Sequence, residues 1–535
     1  MKLAAALLVT YLALSPLVLF LGYSGASTGI PYLGVLRGWE NSEGINESAW
    51  DIAVDVRNIY IAGMYFEGSS GFGPTLLIVP RDHTSPVVCQ RALLFDVSPN
   101  TVDRWGATSL DINSTHVALA GWYVVDTRVG QFVTFFVAVY SKNCEFTGIV
   151  EIGGFRAGGV FPAAVVEFDD DGDIYLLVSP TNRPESDPFR GTIFLYRLDQ
   201  YLNILGNRMY YVSDYSRVSA SDVEVVDDAV YVVGDVWQAG PEGIFLMEID
   251  KDTLQATNHT ILGDRPSLVV FYPHVAVDSD GYIYIAAAAA SSSAAGPILF
   301  KLDSEFNLVF TEANIMGFTP THRDVSNPYQ GLPYPADLAL SDTQVFIVGG
   351  IEIFNLEYDG FVLVANKTDG NPFYFLKIVS REGDAYSGGG RVNSAVHAVN
   401  VYVDCAYITG YAENYYLEYE PLNPTATPNP VRSTISIIPT DVEDPLTENN
   451  FDSEIPLNPV FDQDAYINIK SNGFYGVLCM SPLTARSVST STTTSTTTET
   501  STFTSTSTST VTTTPTTTVT RFTTATQTSV ATRVE

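Results

Sequence analysis

The chain repeats itself. Seven segments share one pattern: an alternating apolar strand, a tight turn rich in Asp, Asn or Gly, and a second apolar strand that usually ends in Gly. The first runs Asp51-Ile-Ala-Val-Asp-Val-Arg-Asn-Ile-Tyr-Ile-Ala-Gly63. Equivalent ends fall at Gly121, Val178, Gly234, Ala287, Gly349 and Gly410, in steps of 58, 57, 56, 53, 62 and 61 residues. A unit recurring at such a period cannot bury its apolar face alone and must stack on its neighbours, which restricts the chain to repeat architectures.

A third strand follows each hairpin, as in Gly243-Ile-Phe-Leu-Met-Glu-Ile-Asp250 and Gly296-Pro-Ile-Leu-Phe-Lys-Leu-Asp303, and a fourth after it, such as Leu308-Val-Phe-Thr-Glu. No helical period of 3.6 is sustained between residues 30 and 480. The predicted fold is all-β, a seven-bladed β-propeller of four-stranded antiparallel blades spanning residues 27–484. The seventh repeat has its hairpin at Ala395 to Gly410 and a third strand at Gly473 to Met480, with no fourth, while a lone strand, Pro31 to Trp39, precedes the first repeat. That N-terminal strand is expected to complete the seventh blade and close the ring, removing two exposed sheet edges.

The wording Val277-Asp-Ser-Asp-Gly-Tyr-Ile-Tyr-Ile285, followed by Phe300-Lys-Leu-Asp303 and Asn307-Leu-Val-Phe310, resembles the SBBP β-propeller repeat of exported bacterial and archaeal surface proteins. The resemblance covers roughly residues 45 to 412. It implies a propeller on an exported protein and no particular chemistry.

Residues 1–26 read as a signal peptide or a signal anchor: Lys2 precedes a nearly unbroken apolar run to Gly22, and Ser24-Gly25-Ala26 supplies small residues for cleavage. Either version puts the rest of the chain outside the cell, with a membrane contact only through that anchor. From 485 to 535 the chain is almost wholly Thr and Ser, has no apolar face and reads as a disordered stalk. With 27 basic against 60 acidic residues and a net charge of -33, the surface repels phosphate backbones, so nucleic acid is not an expected partner. Sequons at Asn46, Asn113, Asn258 and Asn366 fit an exported glycoprotein. Of the four cysteines, Cys405 and Cys479 fall on adjacent strands of the seventh blade, and Cys89 and Cys144 lie where they would join the first two, so two disulfides are expected.

Catalytic signatures are absent from the repeats: there is no His-x-x-x-His and no Ser-x-Asp-x-Gly-x-x-Trp box. Asp169, Asp171 and Asp173, and likewise Asp278 and Asp280, resemble fragments of Ca²⁺ loops, but both stretches sit where the repeat demands a hairpin turn, for which Asp-Gly is the preferred chemistry. His274 and His397 lie on innermost strands, where side chains can enter the central channel. Three loops stand out, at Ser179 to Gly191, Ala288 to Gly296 and Tyr411 to Asn472. The last is an insertion in the seventh blade, read as a lid or side module over one face of the ring, the alternatives being a loop packed on the rim or an interface to a neighbouring subunit. The leading functional reading is a cell-surface binding or adhesion module whose partner is a glycan or an envelope protein. The alternatives are a secreted enzyme acting on polysaccharide or peptide through carboxylates on a propeller face, and a subunit of a surface array.

Overall fold

A computed structural model describes residues 32–479 except 42–45, 68–70, 83–84, 86, 96–104, 128–129, 157–162, 181–191, 213–216, 238–240, 264–267, 292–294, 310–313, 317–332, 355–356, 381–394, 404, 412–414, 420–423, 427–431, 434–436, 441–450, 457–458 and 462–472. The leader, the Thr/Ser tail, most of the 179–191 loop, His83 and His322 lie outside the described residues.

Seven antiparallel blades form the ring, and no described residue is helical. Blade 1 comprises strands 46–54, 58–67, 71–80 and 89–95; blade 2, 105–112, 116–127, 130–141 and 146–156; blade 3, 163–168, 174–179, 192–198 and 204–212. Blade 4 has 217–226, 229–237, 241–250 and 256–262; blade 5, the paired strands 268–277, 283–291 and 295–302; blade 6, 333–340, 344–354, 357–366 and 372–380. Blade 7 is built from 395–402, 405–411, 473–479 and, as its fourth strand, the N-terminal 32–41, which runs antiparallel to 473–479. The ring is therefore closed from both ends of the chain, as the orphan strand required. In blade 5 three strands are paired, and the described part of the fourth is the bridge of Leu308 to Leu302, where that strand was expected; Asn314–Met316 pairs with 424–426 instead. Much of the expected loop at 288–296 is also strand, since the flanking strands extend to Ser291 and begin again at Ala295.

Second and third strands are packed on both faces, which is why they read as unbroken apolar runs; Ile174–Ser179 is buried at every position. The core is a series of apolar layers between adjacent blades. Phe155 and Phe194 meet between blades 2 and 3, and Tyr407 and Tyr475 of blade 7 pack with Ile52 and Ile61 of blade 1. The glycine that ends the second strand has a steric cause. In blades 1, 2, 4 and 7 it faces the residue before a β-bulge in the inner strand. A Cβ at Gly63, Gly121, Gly234 or Gly410 would stand only 2.2, 1.9, 2.1 or 2.0 Å from the carbonyl oxygen of Ser48, Gly106, Ser219 or Ala395. Blade 3 pairs without a bulge, and there Val178 is accommodated.

The described segments of the insertion lie along the rim of the ring. Five of them add a fifth strand to the outer edge of a blade: 415–419 on blade 6, 432–433 on blade 4, 437–440 on blade 3, 451–456 on blade 1 and 459–461 on blade 7, while 424–426 pairs with 314–316 in a two-stranded sheet of its own. Twist explains how one segment can do this. Successive strands rotate by about 20–25°, so a fifth strand stands roughly 80–100° from the innermost one and runs along the perimeter. Pro424, Pro439, Pro456 and Pro459 fall within these short strands, as only an edge strand allows, and they blunt the outermost edge against further pairing. The belt leaves blade 7 after strand 405–411 and re-enters it at 473–479, where Cys405 and Cys479 are register partners joined by a disulfide with a Cα separation of 4.1 Å. The covalent loop closed by that bond contains every belt strand. The second disulfide, Cys89–Cys144, joins blades 1 and 2, and two disulfides fit an oxidising, extracellular environment.

Candidate functional site in the central channel

The innermost strands line the channel, and their bulges aim specific side chains into it. Immediately after the bulge come Asp51 in blade 1, Ser109 in blade 2, Asp222 in blade 4, His274 in blade 5, Asp337 in blade 6 and Ala398 in blade 7. Two residues further along, the register adds Asp111 in blade 2 and Glu224 in blade 4, with Glu167 at the corresponding level of the unbulged blade 3.

Most of these carboxylates latch one blade to the next. Asp51 accepts the amide of Leu110 at 2.6 Å, Asp222 that of Val275 at 2.9 Å and Asp337 that of Val399 at 2.7 Å. Asp111 accepts from Phe168, Glu167 from Val225 and Glu224 from Val277. The bulged residues supply the complementary rung: Thr108 donates to Ala164 O, Ser221 to Pro273 O, and the imidazole of His397 to Ala49 O at 2.8 Å. Inner-strand amides and carbonyls that no further strand can pair are satisfied in this way.

Burying so many acids together makes them hard to ionise. Burial pushes Asp51 up to about 7 against the pull of its two backbone donors, with Asp222 and Asp111 adding like-charge repulsion. Asp111 rises to about 6 and Glu224 to about 8, in each case chiefly through burial, and Glu167 and Asp337 are held well above the ordinary carboxylate range by burial and neighbouring carboxylates. Burial pushes His397 down to about 4, so it is a neutral ring donating to a carbonyl at physiological pH. Trp50, the bulged residue of blade 1, stacks on His397 with centroids 4.3 Å apart.

His274 departs from the latch pattern. It occupies the position from which Asp51, Asp222 and Asp337 reach forward to the next blade, but its Nδ1 faces back to Asp222 Oδ2 at 3.5 Å. One donor atom each from Asp222, His274 and Asp337 lies within 4.8 Å of the others.

The aspartates expected in hairpin turns sit elsewhere, away from the inner-strand cluster. Asp169 Oδ1 accepts the amides of Asp171 and Asp173, and Asp278 Oδ1 those of Asp280 and Tyr282. Their second oxygens face Lys251 at 3.4 Å and Lys367 at 3.3 Å, each from the following blade, as Asp55 faces Lys142 at 2.8 Å. Asp173 pairs with Arg197, while Asp171 and Asp280 are exposed. Among the sequons, Asn366 is exposed at a strand end, Asn113 and Asn258 are half-buried, and the side chain of Asn46 is outside the described set. A surface hollow of about 590 Å³ beside the first hairpin, lined in part by Arg57, Arg81 and Asp82, lies apart from the inner-strand cluster.

Of the channel groups, sequence reading singled out only His274 and His397. The inner-strand acids were missed because, in an alternating strand, they look like its solvent face; the recurrence of an acid near the same point of the repeat was the available signal.

No family model matches the sequence, and neither does any curated protein. Similar solved structures include a family 25 polysaccharide lyase, an ulvan lyase (10% identity, 74% of this chain and 95% of that one, TM-score 0.41), and the polysaccharide lyase Uly1 (8%, 81% and 90%, 0.40). An α-L-arabinofuranosidase from Clostridium thermocellum is a third (13%, 50% and 95%, 0.29). At these similarities they carry no functional argument.

Proposed function

We propose that the protein is an exported cell-surface binding module and that its ligand, a glycan, is taken by the central channel. The observation that supports this reading most is the half-buried Trp50–His397 stack, placed by bulges on blades 1 and 7 beside the strands that carry Asp51 and Asp337. An aromatic ring that meets the C–H face of a sugar, with carboxylates to accept from its hydroxyls, is the usual division of labour in a polyhydroxyl site. Latching leaves each carboxylate oxygen a further lone pair with which to do so.

A glycan screen of the full chain tests the reading. Binding that is lost on Trp50→Ala with an unchanged melting temperature supports it, and binding indifferent to that change overturns it.

One observation favours a second reading as an enzyme. Burial raises the carboxyls of Asp51, to about 7, and Asp111, to about 6, into the range where a carboxyl can give and take a proton. Release of reducing or unsaturated ends from a bound glycan, abolished by Asp51→Asn, would establish it; intact glycan after prolonged incubation would exclude it.

A further inference from the structure

We propose that Asp222, His274 and Asp337 form a binding site for a divalent transition-metal ion at the junction of blades 4, 5 and 6. The three side chains come from equivalent post-bulge positions on three successive inner strands, and their donor atoms already converge within 4.8 Å. Two ligands on an ion about 2.1 Å away stand roughly 3.0–3.4 Å apart at octahedral or tetrahedral angles. His274 Nδ1 and Asp222 Oδ2, at 3.5 Å, are therefore close to bound spacing, and Asp337, within 4.8 Å of both, closes on them by up to about 1.8 Å.

The site is built as well as convergent. Asp222 is oriented by the amides of Val223 and Val275, and Asp337 by those of Leu338 and Val399. Outer-shell donors of this kind fix ligand geometry in metal sites. His274 supplies the independent indication. Its repeat position carries an acid in blades 1, 4 and 6 and serves the latch there, whereas in blade 5 an imidazole replaces the acid and faces its neighbours' carboxylates. One imidazole with two carboxylates suits Zn²⁺ or Mn²⁺ better than the all-oxygen shell of Ca²⁺. Every cysteine is in a disulfide, so thiols do not compete for the metal.

The site goes beyond the glycan reading, and its test contains no glycan. The full chain, stripped with chelator, is titrated with ZnCl₂ and with MnCl₂ by calorimetry, alongside His274→Ala and a His259→Ala control. His274 takes no part in the latch, so its removal spares the fold, which the melting temperature verifies. Expected is one equivalent of metal bound by the wild type and the control, with affinity falling about 100-fold or more in His274→Ala, since even outer-shell losses cost about 10–100-fold. Absence of one-equivalent binding, or binding that persists in His274→Ala, overturns the proposal.

Discussion

Gly234 shows how narrowly a single residue can be set. Its missing Cβ leaves room for Ser219 O at 2.1 Å and for the Phe245 ring at 2.6 Å, so Gly234→Ala forces the bulge to move, and the acid that follows it, Asp222, moves with it. We expect a loss of about 3 kcal/mol in denaturant unfolding. At Gly281, with φ +80 and nothing within 4 Å of a Cβ, the same change costs only about 1 kcal/mol of backbone strain. The channel acids set the pH dependence. Asp51 and Asp111 bind protons more tightly folded, at about 7 and 6, than unfolded, at 3.8, so between about pH 4 and 7 the native state holds more protons and stability falls as pH rises. Asp55 runs the other way. Burial would raise it, but Lys142 and the turn amides hold it at about 2, a stabilisation present above 3.8 and lost as pH falls through 2. In chelator, the melting temperature should be higher at pH 5 than at pH 8 by roughly 5 °C, with part of the difference removed by Asp51→Asn. A flat or rising profile would contradict the burial of these acids.

Among the elements, the hairpins, their count and the closing strand were legible, because period-2 patterning and Asp-Gly turns are local signals and Pro31 to Trp39 had no partner in sequence. The belt was not. Its strands are 2–6 residues long, too short to show a period, and each is specified by an outer edge on a different blade rather than by its own residues. Nothing in the strand Ile437–Thr440 itself named blade 3 as its partner. The bulges were hidden for a related reason: one extra residue in a strand reads as a break in alternation, and only pairing reveals it. If the belt seals the perimeter, replacing residues 415–461 with a short flexible linker should lower the melting temperature and produce concentration-dependent association by light scattering, because five outer edges lose their cover. A monodisperse protein of unchanged stability would refute that role.

Taken whole, the molecule is a ring in which different parts answer different demands. Layers between blades supply the core, the terminal strand closes the circle, the belt and the Cys405–Cys479 bond hold the outside, and the channel concentrates the groups with chemistry to offer. The sequence announced the ring through its period. It could not announce the channel, whose residues are spread from Trp50 to His397 and meet only when the circle closes. Amide hydrogen exchange of the full chain, with and without the tightest glycan from the screen, locates the ligand directly. Expected is added protection in the inner strands 46–54, 333–340 and 395–402; protection confined to the outer strands or the belt would contradict a channel site.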